Sequence, residues 1–159
     1  MRPFSRSLPM ALLRARETVM GFFRPLLNEH GLTEQQWRIV RVLHANQDME
    51  FHELARIACL LPPSLTGILT RLEKLKLVRR RKLASDQRRL HVSLTAEGIA
   101  RFVDISREME SRYKVLEAQF GARRLAMLFR LLERARDLEP PDPSPRPAPR
   151  RRKAKKESA

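Results

Sequence analysis

The chain has 159 residues, with 33 lysines and arginines against 18 acids and a formal charge of +15; residues 139–159 hold seven cations and three acids, so about +11 stays on the rest. Such an excess points to a polyanionic partner, nucleic acid first and an acidic membrane surface second. An apolar content of 42% suffices for one core of ordinary size, no run approaches a membrane span, Arg14, Arg16 and Glu17 interrupt any secretory segment, and the single cysteine, Cys59, excludes an internal disulfide and fits a reducing cytoplasm.

Ser7 and Pro9 open a first helix, proline being suited to a first turn, and Gly31 ends it. Leu12, Val19, Phe22, Phe23, Leu26 and Leu27 supply its apolar side, and Pro25 predicts a kink or break inside it. Thr33 to Gln36 reads as a capping box for a second helix through about Asn46, with Trp37, Val40 and Leu43 on its buried face. Residues 49–51 read as a short extended piece. A third helix runs from about His52 to Leu60 with Leu54, Ile57 and Ala58 inward. After Pro62-Pro63, Leu65, Ile68, Leu69, Leu72 and Leu75 recur at helical spacing. The opposite face carries Ser64, Thr66, Gly67, Thr70, Arg71 and Lys74: short hydrogen-bonding groups and cations, with almost no acids.

Leu77 and Val78 lead into a basic strand, Arg79–Leu83, and Ala84–Arg89 forms the turn. In the return strand, Leu90–Thr95, the residues Leu90, Val92 and Leu94 alternate with polar ones. Thr95 then caps a long helix on which Ile99, Phe102, Val103, Met109, Tyr113, Leu116 and Phe120 keep a three-or-four spacing until Gly121. About 25 residues at 1.5 Å each make a rod of roughly 37 Å, longer than a compact lobe of this size needs. A sixth and last helix, about 122–138, carries Leu125, Leu128, Phe129, Leu132 and Ala135. From Glu139 onward six prolines and seven cations replace the periodicity, and this basic tail, 139–159, reads as disordered. Its Arg150–Lys156 run either adds salt-sensitive attraction to DNA or serves only as solvated charge.

The fold class is mainly α (α+β). A helix that hides leucines and shows hydroxyls, a glycine and cations can approach base edges and phosphates, and a basic hairpin follows it. That combination is how a winged helix-turn-helix reads duplex DNA. An enzyme is disfavoured: no Gly-rich phosphate loop, i, i+4 metal-ligand pair or serine elbow is present, so no catalytic residue and no cofactor are expected. His30, His44, His52 and His91 show no tight ligand spacing, and no metal site is expected. Cys59, between Ala58 and Leu60, reads as a buried small hydrophobe; the alternative is an exposed, activated thiol that senses oxidants. A protein-contact role for the winged helix would favour exposed aromatics, which the 64–71 face lacks.

These elements, with Asp86-Gln87-Arg88 in the wing and the closing Leu94-Thr95-Ala96-Glu97-Gly98, resemble the MarR family of bacterial transcription regulators over about residues 8–138. The most specific element is the D-x-R wing followed six residues later by Leu-Thr and then Glu-Gly. Within the family, Leu12–Glu17, Phe23–Pro25, Leu32–Arg41 and Pro63–Arg71 are similar to regulators of homoprotocatechuate (4-hydroxyphenylacetate) degradation. Repressors of hydroxynicotinate catabolism are similar in the same stretches.

The resemblance implies a MarR-type domain at 1–138, with a winged helix-turn-helix at about 33–95 and dimerisation helices at about 8–30 and 96–138. A cytoplasmic homodimer would set two reading helices into successive major grooves of a pseudo-palindromic operator, with no membrane partner. DNA contacts are implied for Pro63, Ser64, Thr66, Gly67, Thr70, Arg71, Lys82, Asp86, Arg88 and Arg89. Gly67 permits close approach, Arg71 reaches either a guanine edge or a phosphate, and Arg80, Arg81 and Lys82 face phosphates. Arg88 would enter the minor groove, aimed by Asp86 pairing with Arg88 or Arg89. Arg89 stands where a small residue is frequent, which leaves open which arginine enters. The resemblance also implies an effector, a small aromatic carboxylate held in an apolar slot with one cation. Arg16, Trp37, Arg38 and His52 are the candidates, each with a plain structural alternative: surface pairing for Arg16, core for Trp37, a helix start for His52. The expected function is a ligand-responsive repressor of an aromatic-acid (hydroxyphenylacetate/homoprotocatechuate) catabolic operon. The alternatives are control by a hydroxynicotinate-type ligand or by oxidant through Cys59, or an architectural DNA binder without ligand control.

Overall fold

The computed structural model describes residues 3–83 and 86–139, with the backbone alone at residues 5, 83 and 86–88. After a 3-10 turn at Phe4–Arg6, the elements in chain order are α1 (Leu8–Met20), α2 (Arg24–Glu29), α3 (Glu34–Asn46), β1 (Asp48–Glu50) and α4 (Phe51–Ile57). They continue with α5 (Pro62–Lys74), β2 (Val78–Leu83), β3 (Asp86–Leu94), α6 (Ala96–Phe120) and α7 (Ala122–Arg136). Two compact units divide between Gly121 and Ala122. The tail from residue 140 lies outside the described residues.

The first predicted helix is two helices, α1 and α2, separated by Gly21–Phe23. The interruption precedes Pro25 instead of falling at it, because a proline in a continuous helix would clash with the carbonyl four residues back, that of Gly21. Pro25 instead occupies the first turn of α2, where its missing N–H costs nothing. At the end of α2, Gly31 adopts φ +67°, and the Gly31 and Leu32 amides return to the Asn28 and Leu27 carbonyls. The same closure recurs without glycine at Cys59 (φ +50°) after α4 and at Lys76 (φ +59°) after α5. It corrects the expectation for Cys59. The left-handed turn swings that side chain off the buried face, so Cys59 is exposed while Ala58 is buried and Leu60 packs against the core.

Thr33 and Gln36 form the predicted capping box: Gln36 N donates to Thr33 Oγ1 at 3.2 Å and Thr33 N to Gln36 Oε1 at 2.8 Å. The core gathers Leu26, Leu27, Ile39, Val40, Leu43, Leu54, Leu65, Leu69, Leu72, Val92 and Ile105, all fully buried. Leu65, Ile68, Leu69 and Leu72 seat α5 as its periodicity predicts, each contributing about 1.5–3 kcal/mol of burial. Leu75 does not join them: the helix ends at Lys74, and Leu75 is 45% exposed. Ile57, the last residue of α4, is likewise exposed, and Ala55 takes the inward place.

The antiparallel sheet has strand order β1-β3-β2. The central strand β3 is longer than the alternation suggests and takes in Asp86–Arg89, read from sequence as turn, because Leu83 of β2 pairs with Asp86. Lys82 pairs with Leu90 but Leu83 with Asp86, so Gln87, Arg88 and Arg89 fall in a bulge between paired positions. Thr95 caps α6 by accepting from Gly98 N at 3.0 Å. On α6, Ile105 and Met109 are buried, whereas Ile99, Val103, Tyr113, Val115 and Phe120 stay exposed. In the second unit α7 buries no residue, and Met127, Leu128, Phe129 and Leu131 are exposed.

Candidate nucleic-acid interface and effector cavity

The face of α5 opposite its leucines is open. Pro63, Ser64, Thr66, Gly67, Thr70, Arg71 and Lys74 are all exposed. Thr66 Oγ1 donates to Pro62 O at 3.2 Å and Thr70 Oγ1 to Thr66 O at 3.0 Å. Their hydroxyl protons are thus used within the helix, leaving the oxygens as acceptors toward a partner. At Gly67 no atom lies within 4 Å of where a Cβ would stand. A mid-helix glycine costs roughly 1 kcal/mol relative to alanine, and nothing in the fold requires it. The helix opens on Pro62 and Pro63, preceded by Leu61, which is 73% exposed and makes no side-chain cap.

Glu73, the one acid on α5, is drawn away from this face into an ion pair with Arg80 of β2. Arg81 bonds to Asp48 Oδ2 at 3.0 Å. These two arginines, expected to face phosphates, are therefore each paired with an acid of the same chain, Arg81 with its side chain half exposed. Lys82 and Arg89 are exposed, as a DNA-facing role needs. The side chains of Asp86 and Arg88, and hence their expected pairing, lie outside the described residues.

Of the four effector candidates, Arg16, Trp37 and Arg38 line one cavity of about 660 Å³ between α1, α3 and the end of α4, with Cys59 at its rim. His52 does not join them. It is exposed at the start of α4, edge-on to the Phe51 ring at 5.3 Å. The Arg16 guanidinium is already engaged by Glu17, at 2.6 Å, and by Glu34; Arg24 bonds the same two acids. Arg38 Nη1 donates to Ala58 O at 3.0 Å, at the carbonyl end of α4.

The cation that the sequence reading missed is Arg41. One turn beyond Trp37 on α3, it lines the same cavity and a second one of about 170 Å³, walled by Trp37, Phe102, Met109 and Tyr113 with Ser106 and Glu110. Trp37 stacks on Phe102 at 5.5 Å, and Phe102 on His44 at 3.6 Å. Among the described residues no intramolecular partner engages the Arg41 guanidinium. The i, i+4 spacing of Trp37 and Arg41 was the available signal.

Three carboxylates here lie below their ordinary range. Burial alone would raise Glu34, but hydrogen bonds from Arg24 and Arg16 outweigh it. Burial is likewise overcome at Asp48 by Arg81 and His91, and at Glu50 by the backbone amides of His52 and Glu53. A depressed folded pKa means that the unfolded chain binds protons first, so the stabilisation is complete above about pH 5 and vanishes as pH falls through the depressed values. Urea midpoints are expected to be level from about pH 5 to 7 and to fall below about pH 4; a profile still level at about pH 3 would contradict these pairings.

No helix of the described residues is long and apolar enough to cross a membrane. A helix seated on a leucine face with its polar, cationic side open, a three-stranded antiparallel sheet and a cationic hairpin define a winged helix-turn-helix protein. The chain belongs to the MarR family, whose model matches residues 32–90. It is 53% identical over 127 residues to the homoprotocatechuate degradative operon repressor of Escherichia coli, spanning 80% of this chain and 86% of that one. The crystal structure of transcriptional regulator PA4135 is similar at TM-score 0.82 and 49% identity, over 87% of this chain and 100% of that chain. NadR in complex with 4-hydroxyphenylacetate is similar at TM-score 0.74 and 44% identity, over 87% and 99%. The family and the subgroup to which the motif strings pointed are thus those of its relatives.

Proposed function

We propose that this chain is a homodimeric, cytoplasmic repressor of an aromatic-acid (hydroxyphenylacetate/homoprotocatechuate) catabolic operon, released from its operator by a small aromatic carboxylate. It works by binding alone, without cofactor, metal or catalytic group. The observation that carries the DNA-reading part is the α5 face, where a glycine without a structural role stands among acceptors and cations. Lys82 and Arg89 extend that face along the hairpin, and the minor-groove contact falls to one of the two wing arginines, Arg88 or Arg89. Homodimerisation is supported by the apolar side chains left exposed on α1 (Leu8, Leu12, Leu13), on α6 and, within its own unit, on α7. The subgroup is supported by the E. coli relative's name and by the ligand crystallised with NadR.

For the effector, the ring is placed between Trp37, Phe102, Met109 and Tyr113, with its carboxylate on Arg41. Arg41 is preferred to Arg16 and Arg38 because their guanidiniums already hold partners, whereas an uncommitted one can meet a carboxylate with paired, charge-assisted bonds. The test is release of an operator duplex, selected from a random library by the wild-type protein. 4-Hydroxyphenylacetate, homoprotocatechuate and 6-hydroxynicotinate are titrated into the complex. At least one is expected to release it, and Arg41→Ala is expected to keep operator affinity while needing tenfold or more effector, about 1.4 kcal/mol. Release by none of them would remove the catabolic reading and leave DNA binding alone. Arg88→Ala is expected to weaken operator binding by about 1–3 kcal/mol with the dimer intact, read by gel shift and sedimentation.

A further inference from the structure

We propose that Asp48 is a positioning residue that ties the wing to the effector-bearing helix, so that occupancy of the Trp37–Arg41 cavity is felt at the hairpin. This rests on the ligand-controlled reading above. Helix α3 carries Trp37 and Arg41 and ends at Asn46; Gln47, at φ 64° and ψ −82°, is the only residue between that end and Asp48. Asp48 Oδ2 accepts from Arg81 Nη2 of β2 at 3.0 Å and from His91 Nδ1 of β3 at 2.9 Å. Arg81 and His91 face each other across the β2–β3 ladder. A single carboxylate oxygen therefore gathers one side chain from each wing strand at one register position.

The other oxygen, Oδ1, is buried and has no hydrogen-bond partner among the described residues. An unsatisfied buried acceptor costs stability, which offsets part of what the two bonds at Oδ2 contribute. On the same helix His44 stacks on Phe102, whose ring also stacks on Trp37 in the cavity wall. A movement of α3 that accommodates a ligand beneath Trp37 is thus delivered, through a rigid helix and a one-residue joint, to Asp48 and both wing strands. The element that carries it is continuous and identifiable.

The test compares wild type with Asp48→Asn in the full-length dimer. It measures operator affinity with and without the effector from the release experiment, effector affinity for the free protein by calorimetry, and the thermal midpoint. Asp48→Asn is expected to bind effector within about twofold of wild type but to reduce, by on the order of fivefold or more, the factor by which effector weakens operator binding. A role confined to stability would move the midpoint and leave that factor alone. Should Asp48→Asn fail to fold, Arg81→Gln, on a half-exposed side chain, is expected to lower the same factor. An unchanged factor in the variant that folds, or loss of effector binding itself, overturns the proposal. If wild type is released by none of the ligands, ligand control itself has failed, and the proposal falls with it; a responsive wild type with an equally responsive variant rejects Asp48 alone.

Discussion

Gly98→Ala is expected to lower the stability of this protein by about 3 kcal/mol or more, seen as a large fall in the urea midpoint. A Cβ at residue 98 would stand 2.0 Å from the Leu77 carbonyl oxygen and 3.0 Å from its carbon. Both are backbone atoms, which cannot swing aside as the tip of a side chain can. They are also in use: Leu77 O accepts from Thr95 N at 3.0 Å, and Lys76 O accepts from Thr95 Oγ1 at 2.6 Å. Making room means either lifting the start of α6, which breaks these bonds, or displacing Leu77, which opens the closure of α5 where Leu77 N returns to Leu72 O. Each lost bond is worth about 1 kcal/mol, and overpacking adds about 1–3. The threonine and glycine of the Leu94–Gly98 string thus divide one task, binding the chain at the end of α5 and clearing space for it. A midpoint within experimental error of wild type would mean that α6 starts elsewhere.

Gly67→Glu should act in opposite directions on folding and on binding. No atom lies within 4 Å of a Cβ there, and glutamate is the better helix former, so stability is expected to rise by about 0.5–1 kcal/mol. Operator affinity is expected to fall a hundredfold or more, roughly 3 kcal/mol, since close approach is lost and an acid is set against phosphates. Denaturation and gel shift on one preparation check both signs. A variant that is more stable yet binds operator undiminished would show that α5 is not the reading helix.

What could be read in advance followed the range of the interactions. The leucines of α5, the Thr33–Gln36 box and the Thr95 cap depend on neighbours within one or two turns, and each lies where its spacing put it. Ile105, fully buried, was missed among the spaced residues of α6, because burial there depends on what packs against the helix and not on periodicity alone. The extent of β3 escaped because its start, Asp86–Arg89, is polar and joins the ladder only through the irregular Leu83–Asp86 pairing with β2, which no alternation announces. At the candidate site, the open face of α5 was legible from residue type. The engagement of Arg80 by Glu73 and of Arg16 by Glu17 and Glu34 was not, since one-letter charge does not say which guanidinium is already taken. That is why Arg41 emerged only from the three-dimensional arrangement.

The double proline that opens α5 has one more consequence. Two of the four amide hydrogens that a helix start ordinarily leaves dangling are missing altogether, so of those within reach of a cap at Leu61 only that of Ser64 is left. Position 61 is thereby relieved of part of the duty that confines most such positions to serine, threonine or aspartate. Because Leu61 is also 73% exposed, its side chain is expected to be exchangeable with the urea midpoint unchanged, the scaffold behind it staying as it is.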